Sequence, residues 1–519
     1  MRRTDEAQQW AARVLNLLIA DPALKLDAVF RAVGLPSGNT RGNVLFRSLH
    51  GRSQRRAAPF QRVPLAVRPA CCFIDVDYDD ERCSFTDEAR EAIRKRDLDV
   101  LLWLDSHILY GDCSGLARLG VWSFYFGDPE RPPVYPPYWR EIVEGDSVSA
   151  IALRRHTERF EKGELLASHS GPTDPSWAFT ETADRLAAMA APILSRSLLD
   201  ALECPGRFRE QAEPPEMSSS ESIRAPSTFE AARFVAARSA HSLRVRMQGH
   251  TRQHKRWFVA LRRKDKAANG PFHTGGFMEM GKPPGSGYAD PFLIEREGRH
   301  WLFVEELPPG VSKGRLTCFE VLDTGHLGEA CVILDEPFHL AYPCVFTHRN
   351  DCYLLPDSAA NKTVSLYRAI QFPHRWEPVS CFVEGKAVVD TTPLFLDGMW
   401  YFFTTTKEPG SETFLFYSAK LQGPWRYHPA NPICSDARRA RAAGALFYRD
   451  GKLIRPSQDC ALGYGHSIVF NEVTRLSPSE YAERVVQRIP PNWRPNLIGT
   501  HTYNSDGTYE VIDGVRFER

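Results

Sequence analysis

An α/β half followed by an all-β half is the fold class that this 519-residue sequence predicts. Three observations carry it. Up to residue 204, apolar segments of strand length alternate with stretches of helical period. From about residue 241 onward, short strands separated by tight-turn signals take over. That second half also repeats itself every fifty or so residues, the size of a four-stranded propeller blade. The composition agrees: 38 Pro, 35 Gly and 11% aromatic residues suit many short strands and turns, and 43% hydrophobic residues suffice for packed cores.

In the first half, Trp10, Val14, Leu17 and Leu18 recur at helical spacing and predict a helix over 6–20. Residues 26–33 read as a strand, 85–96 as a helix and 98–104 as a buried strand. A strand at 121–126, a helix at 138–144, a strand at 148–155 and a long helix at 177–202 complete the α/β pattern. Residues 1–204 therefore form one domain. Residues 205–227 hold Pro-Gly, Pro-Pro and a Ser-rich run without apolar periodicity, which places a linker at 205–240. The second domain is 241–519.

Five segments of that domain share one plan of apolar strand, turn and aromatic strand. They are 289–294 with Glu297-Gly298 and 301–306; 342–346 with Asn350-Asp351 and 353–357; 390–395 with Asp397-Gly398 and 400–403; 443–447 with Asp450-Gly451 and 452–455; and 500–504 with Asp506-Gly507 and 509–512. Each Asp-Gly is a hairpin turn that needs positive φ. Five such repeats predict a five-bladed β-propeller.

In a propeller the first strand of each blade lines the axis, so Asp290, Tyr342, Asp390, Arg441 and His501 are predicted to meet there. Two carboxylates, an arginine, a tyrosine and a histidine at one mouth suit a sugar site, because paired carboxylates can divide acid and base roles. The second strands end in further polar residues, Glu305, Glu306, Asp357, Gln458 and Asp459 among them. The catalytic candidates are Asp290, as base or nucleophile, assisted by Asp390 and by one of Glu306 or Asp459. Arg438, Arg439, Arg441 and Arg455 are candidates for holding a phosphate or carboxylate, since guanidinium groups bind both in bidentate fashion.

Lys+Arg of 65 against Asp+Glu of 64 lends no support to a nucleic-acid or membrane-surface binder, whose footprint is basic. No apolar run approaches the length of a membrane span. The 12 Cys include no C-x-x-C pair and read as reduced thiols of a cytoplasmic protein. No metal is expected; His250 and His254 have a four-residue spacing but lie in a basic run.

The motif Ala289-Asp290-Pro291-Phe292 and the stretch 423–432 resemble the five-bladed glycoside hydrolases of family 43. That resemblance implies a catalytic base at Asp290. It also implies a pKa-tuning role for Asp390, one repeat later than in the family, whose acid Glu has no counterpart on a third-blade inner strand. Residues 287 to about 513 more closely resemble the N-terminal domain of plant glucosamine inositolphosphorylceramide transferases and their bacterial relatives. The residues carrying it are 287–292, His339-Leu340-Ala341-Tyr342-Pro343, 436–441, Arg455-Pro456-Ser457-Gln458-Asp459, 463–465 and 499–502. It implies glycan or glycolipid chemistry, with Tyr342, His339, Gln458 and His501 joining the arginines as substrate-binding candidates.

Residues 97–171 resemble the formyltransferase domain of folate-dependent enzymes, a Rossmann-type fold, through the strands at 97–104 and 120–126, 139–146 and 157–165. The family's Asn, His and Asp positions are occupied by Ser123, Tyr125 and Glu161, which implies a degenerate site; its first strand has no counterpart. Three readings stay open. The first is a carbohydrate-active enzyme without cofactor, acting on a glycan or a sugar-phosphate-containing molecule at the propeller mouth. The second is a sugar N-formyltransferase using formyl-tetrahydrofolate, with the propeller presenting substrate. The third is a glycan-binding protein without catalysis.

Overall fold

The computed structural model describes residues 6–20, 29–33, 62–64, 71–79, 82–104, 108–131, 137–160, 163–174, 179–203, 254–264 and 272–518, with isolated helical positions at 229, 232 and 236. Two compact units divide the chain, Met1–Gly249 and His250–Arg519. Apart from positions 229, 232 and 236, the predicted linker at 205–240 lies outside the described residues, as do His250 and Glu161.

The first unit contains two four-stranded sheets. In one, Val29–Val33 pairs parallel with Cys71–Asp79, which runs antiparallel to Arg82–Phe85, itself parallel to Ile108–Leu109. In the other, Leu101–Trp103 is parallel to Val121–Phe126, and Val148–His156 and Glu164–Pro172 add antiparallel strands. Among the described residues the second sheet thus has one parallel pairing of three, and no run of parallel strands like that of a Rossmann-type sheet is described. Trp10, Val14 and Leu18 of helix Gln9–Ala20 pack with Trp122, Phe124 and Phe126 and with Leu186, Ile193 and Leu194. Ile93 and Phe85 pack with Leu101, Val121 and Phe160 in a separate core. Helix Asp87–Arg94 starts where Thr86 accepts the Ala89 amide at 3.1 Å and two acidic residues face the helix N-terminus. The predicted helix at 177–202 is two helices, Phe179–Ala187 and Ala190–Glu203.

The second unit is a five-bladed β-propeller. Its first three sheets run in chain order: Gly287–Arg296, Arg299–Leu307, Arg315–Val321 and Cys331–Leu334; Ala341–His348, Asp351–Asp357, Thr363–Gln371 and Arg375–Glu384; Val388–Leu396, Met399–Thr406, Glu412–Ser418 and Arg426–Tyr427. The fourth blade opens with a split strand, Arg441–Ala442 and Phe447–Arg449, followed by Lys452–Asp459, Ser467–Leu476 and Tyr481–Ile489. The fifth is built from both ends of the unit. Tyr509–Glu518 pairs on one side with Tyr503–Ser505 and Leu497–Gly499, and on the other with His254–Arg263, from Arg263↔Tyr509 to His254↔Glu518. The earliest strand of the unit therefore latches the ring.

The predicted hairpins at Glu297-Gly298, Asp397-Gly398 and Asp450-Gly451 form, each with positive φ at both residues. The second turn falls one residue earlier than predicted: Arg349 takes φ 57° and His348 pairs with Asp351. The fifth is an Asx turn in which Asp506 accepts the Thr508 and Tyr509 amides at 2.7 Å each.

Candidate active site at the propeller axis

The inner strands of the first three blades break register at one equivalent place. Ala289 pairs with Glu305 and Phe292 with Phe303; Ala341 with Asp357 and Cys344 with Leu355; Val389 with Thr405 and Thr392 with Phe403. The residue entering each bulge is left-handed although it is not glycine: Asp290 at φ 48°, Tyr342 at 45° and Asp390 at 53°. A bulge re-aims a side chain and frees its backbone from the ladder. Left-handed backbone is costly for a bulky residue such as Tyr342 and persists only where surrounding contacts over-determine it.

Those contacts run from blade to blade. The Tyr342 amide donates to Asp290 Oδ2 at 3.2 Å. The Gly444 amide donates to the Tyr342 hydroxyl at 3.0 Å, and that hydroxyl meets Thr392 Oγ1 at 2.8 Å. Arg441 Nε lies 2.5 Å from Asp390 Oδ2. The Tyr503 amide donates to the Ala443 carbonyl at 2.8 Å, and Asn504 donates to the Pro291 carbonyl at 2.7 Å. Gly444 is required here, because a Cβ would sit 2.0 Å from the Tyr503 carbonyl oxygen.

His501 stands at the closing point of this ring. Its Nδ1 is 2.5 Å from Asp513 Oδ2, and its Nε2 is 3.8 Å from Asp290 Oδ1. Asp513 Oδ1 also accepts the His501 and Thr502 amides at 2.8 and 3.0 Å. Thr502 donates its hydroxyl to Asp290 Oδ1 at 2.7 Å. Trp257 stacks on the imidazole at 4.0 Å between centroids. Burial alone would pull the imidazole pKa down, but Asp513 and Asp290 lift it above its usual value. Asp290, His501 and Asp513 are close enough together for a metal centre. With Asp513 engaged on Nδ1, however, two candidate ligands remain, His501 Nε2 and Asp290 Oδ1, fewer than the three protein ligands of a catalytic zinc.

Glu305 and Asp357 face the same axis from the second strands. Burial, then the charges of Asp290, Asp357, Asp390 and Asp513, hold the Glu305 carboxyl well above the usual range. Asp357 is pushed up to about 7 by burial and Asp390, against the opposing effects of the Ala359 amide and Arg441. Asp290 is raised as well, chiefly by burial, with His501 opposing. Tyr464 is the solvent-facing rim of the cluster: it is 54% exposed, Arg441 lies 4.7 Å from its ring centroid, and it meets His501 edge-on.

The predicted site residues divide accordingly. Asp290, Asp390, Arg441, His501 and Tyr342 do come together, but Tyr342 is fully buried and serves as an axial tie, not a substrate contact. Glu306 does not face the axis. Successive strand residues point to opposite sides, and Glu306 accepts from Arg315 at 2.9 Å and Thr317 at 2.6 Å while Glu305 takes the inward position. Asp459 pairs with Arg488 at 2.6 Å and caps the Ala461 amide, so it belongs to a turn. Gln458 is fully buried and donates to the Ala442 carbonyl at 2.8 Å.

The predicted arginine cluster is engaged by the protein's own carboxylates. Arg438 pairs with Asp436, and Arg439 and Arg455 with Glu483. Arg455 and Glu483 are 2% and 4% exposed. Breaking a buried pair from one side strands the other charge. Glu483→Gln is therefore expected to cost about 3–5 kcal/mol, read as a lower urea midpoint at unchanged slope. His339 meets Glu305, with Nε2 3.3 Å from Oε1, instead of lining an anion pocket.

Sequence reasoning passed over Glu305, Asp357 and Asp513 as site residues. The signal available was the repeat itself: Glu305 and Asp357 each stand opposite the residue that precedes a bulge.

In the first unit, Ser123 Oγ lies 2.8 Å from His156 Nε2, and Tyr125 donates its hydroxyl to the Arg131 carbonyl at 2.7 Å. Burial and then Glu141 hold the Tyr125 phenol well above its usual range, which removes it as a base near neutral pH. Burial and Arg154 push His156 down to about 4, leaving a neutral imidazole on Ser123.

Residues 266–503 match the family described as glucosamine inositolphosphorylceramide transferase 1, N-terminal. Glucosamine inositolphosphorylceramide transferase 1 of Oryza sativa subsp. japonica is 34% identical over 208 residues, covering 38% of this chain and 28% of that protein. The Arabidopsis thaliana protein of the same name is 31% identical over 229 residues, covering 43% and 29%. The chain thus spans less than a third of the length of these curated relatives. Among solved structures, the GH43 protein BlXynB of Bacillus licheniformis is similar at a TM-score of 0.31 and 19% identity, covering 39% of this chain and 45% of that one. A thermostable family-43 glycoside hydrolase scores 0.34 at 13% identity, covering 45% and 89%. The propeller assignment itself rests on the strand pairing.

Proposed function

We propose that the second unit is a carbohydrate-active enzyme that cleaves or transfers a glycosidic bond at the propeller mouth. One observation carries this reading: Asp290, Glu305, Asp357 and Asp390 are gathered on three adjacent blades, and their charges act on one another. Crowded carboxyls cannot all ionise together, and this is how acid and base roles are separated near neutral pH. Glu305, held protonated, gives its proton to the departing glycosidic oxygen. Asp290 draws the proton from an attacking water or attacks the anomeric carbon itself. Tyr464 offers an exposed ring for a sugar face at the rim. The sequence similarity to the plant transferases supports a glycan or glycolipid as substrate.

The reading is tested by incubating the protein with aryl glycosides and oligosaccharides and detecting products by mass spectrometry. The crowding itself is read through stability, because Asp357 loses its proton at about pH 7. A carboxyl whose folded pKa is raised holds a proton that the unfolded chain has given up, so its contribution is complete in acid and lost as pH rises to about 7. The slope is about 1.4 kcal/mol per pH unit. Asp357→Asn, neutral at every pH, is expected to flatten the dependence between pH 5 and 7 and to raise the unfolding free energy at pH 8 by about 1–3 kcal/mol. Parallel pH–stability curves for the two proteins would remove the charge crowding from the account.

A second reading, formyl transfer in the first unit, is favoured by the Ser123–His156 pair alone. Calorimetry with formyl-tetrahydrofolate decides it, and no heat of binding rules it out.

A further inference from the structure

Among the described residues, Glu305 is the axial carboxyl that meets a half-exposed side chain. His339 is 43% exposed, and its Nε2 faces Glu305 Oε1 at 3.3 Å. The other side of the ring is fixed by backbone: the Gly314 amide donates to His339 Nδ1 at 2.9 Å. A ring nitrogen that accepts from an amide cannot also carry a proton. The imidazole is therefore neutral, with its single N–H on Nε2, the nitrogen 3.3 Å from Glu305 Oε1. Burial and then Lys407 also disfavour its protonated form.

Gly314 completes the arrangement sterically. A Cβ there would lie 2.6 Å from the Leu340 carbonyl, 2.8 Å from Glu305 Oε1 and 2.9 Å from His339 Cε1. Only glycine lets the acid and the imidazole close over that backbone. The remaining charges acting on Glu305 are Asp290 from its own blade, Asp357 and Asp390 from the next two, and Asp513 from the closing blade. All four oppose its ionisation, whereas His339 brings a neutral imidazole N–H within 3.3 Å of the carboxyl from the solvent side.

We propose that His339, locked in one tautomer by the Gly314 amide, is the positioning residue of Glu305: it holds Oε1 and leaves Oε2 as the proton-donating oxygen at the mouth. After Glu305 has given its proton to the leaving group, the same N–H stabilises the carboxylate that remains. This rests on the reading of Glu305 as the acid of the site, but it is tested without a substrate.

Nitrogen-15 spectra of the histidine rings, assigned with His339→Gln, are expected to show an unprotonated Nδ1 and a protonated Nε2 at residue 339. The Glu305 carboxyl, followed by carbon-13 shift and assigned with Glu305→Gln, supplies the second readout. His339→Asn keeps the acceptor for Gly314 but has no donor that reaches Glu305. It is expected to lower the acid dissociation constant of Glu305 about tenfold. His339→Gln places an amide N–H near the Nε2 position and is expected to leave that constant within about threefold. Gly314→Ala, which forces Glu305 and His339 apart, is expected to reproduce the His339→Asn shift. A protonated Nδ1, or equal effects of His339→Asn and His339→Gln, overturns the assignment. Failure to turn over any saccharide leaves these spectra unchanged and counts against the enzymatic reading alone.

Discussion

Asp290→Asn is expected to lower glycosidic turnover by about 10²–10⁴-fold, the usual worth of a positioned acid or base, while the propeller stays folded. The amide keeps one acceptor oxygen. The nitrogen that replaces the other faces either the Thr502 hydroxyl, which can turn and accept, or the Tyr342 amide at 3.2 Å. Only one neighbour is disturbed, so the unfolding midpoint should fall modestly. The substitution also removes a charge that supports protonated His501. The His501 pKa is therefore expected to drop, since burial is left opposed by Asp513 with less help, and imidazole chemical shifts against pH measure this. A variant with full turnover and an unmoved His501 titration would take Asp290 out of the site.

The second large effect is on the ring itself. Ala260→Pro is expected to cost more than about 3 kcal/mol, the scale set by proline inside regular structure. Ala260 sits mid-strand in His254–Arg263, paired with Ile512. Backbone groups alternate sides along a strand, and the Val259 carbonyl accepts the Met280 amide at 2.9 Å, so the Ala260 N–H faces Tyr509–Glu518. A proline there breaks the latch beside Asp513, the residue that holds His501. The expected outcome is early urea unfolding together with loss of the stacked Trp257 fluorescence environment. An unchanged midpoint would mean that the fifth blade does not need its first-arriving strand.

Much of the propeller is legible in the sequence, for a physical reason. Asp-Gly pairs have few uses other than tight hairpins, and Asp397-Gly398 and Asp450-Gly451 form theirs where predicted, as does Glu297-Gly298. The closing strand was harder to place in the ring. Trp257 to Leu261 reads as a strand from its composition, but nothing local says that it pairs with residues near 512, some 250 positions away. The axis was half legible. Asp290, Asp390 and His501 follow from their place in the repeat. Glu305 and Glu306 are indistinguishable by composition, which does not give strand phase, and a one-residue slip moves a side chain to the opposite face. The arginines at 438, 439 and 455 looked like an anion site because sequence proximity hides their partners: Glu483 lies a whole strand pair further on.

The adjacent glutamates give the most direct test of the central claim, that catalysis occurs at the propeller axis. Glu305→Gln and Glu306→Gln differ by one position and replace the same carboxyl group, one inside the mouth and one against Arg315 and Thr317. Product release from a common oligosaccharide panel, compared by mass spectrometry at pH 6, measures both. The structure predicts that Glu305→Gln loses turnover by at least about 10²-fold, whereas Glu306→Gln stays near the unsubstituted protein. Retained turnover in Glu305→Gln together with its loss in Glu306→Gln would contradict the account and place the chemistry on the other face of the blade.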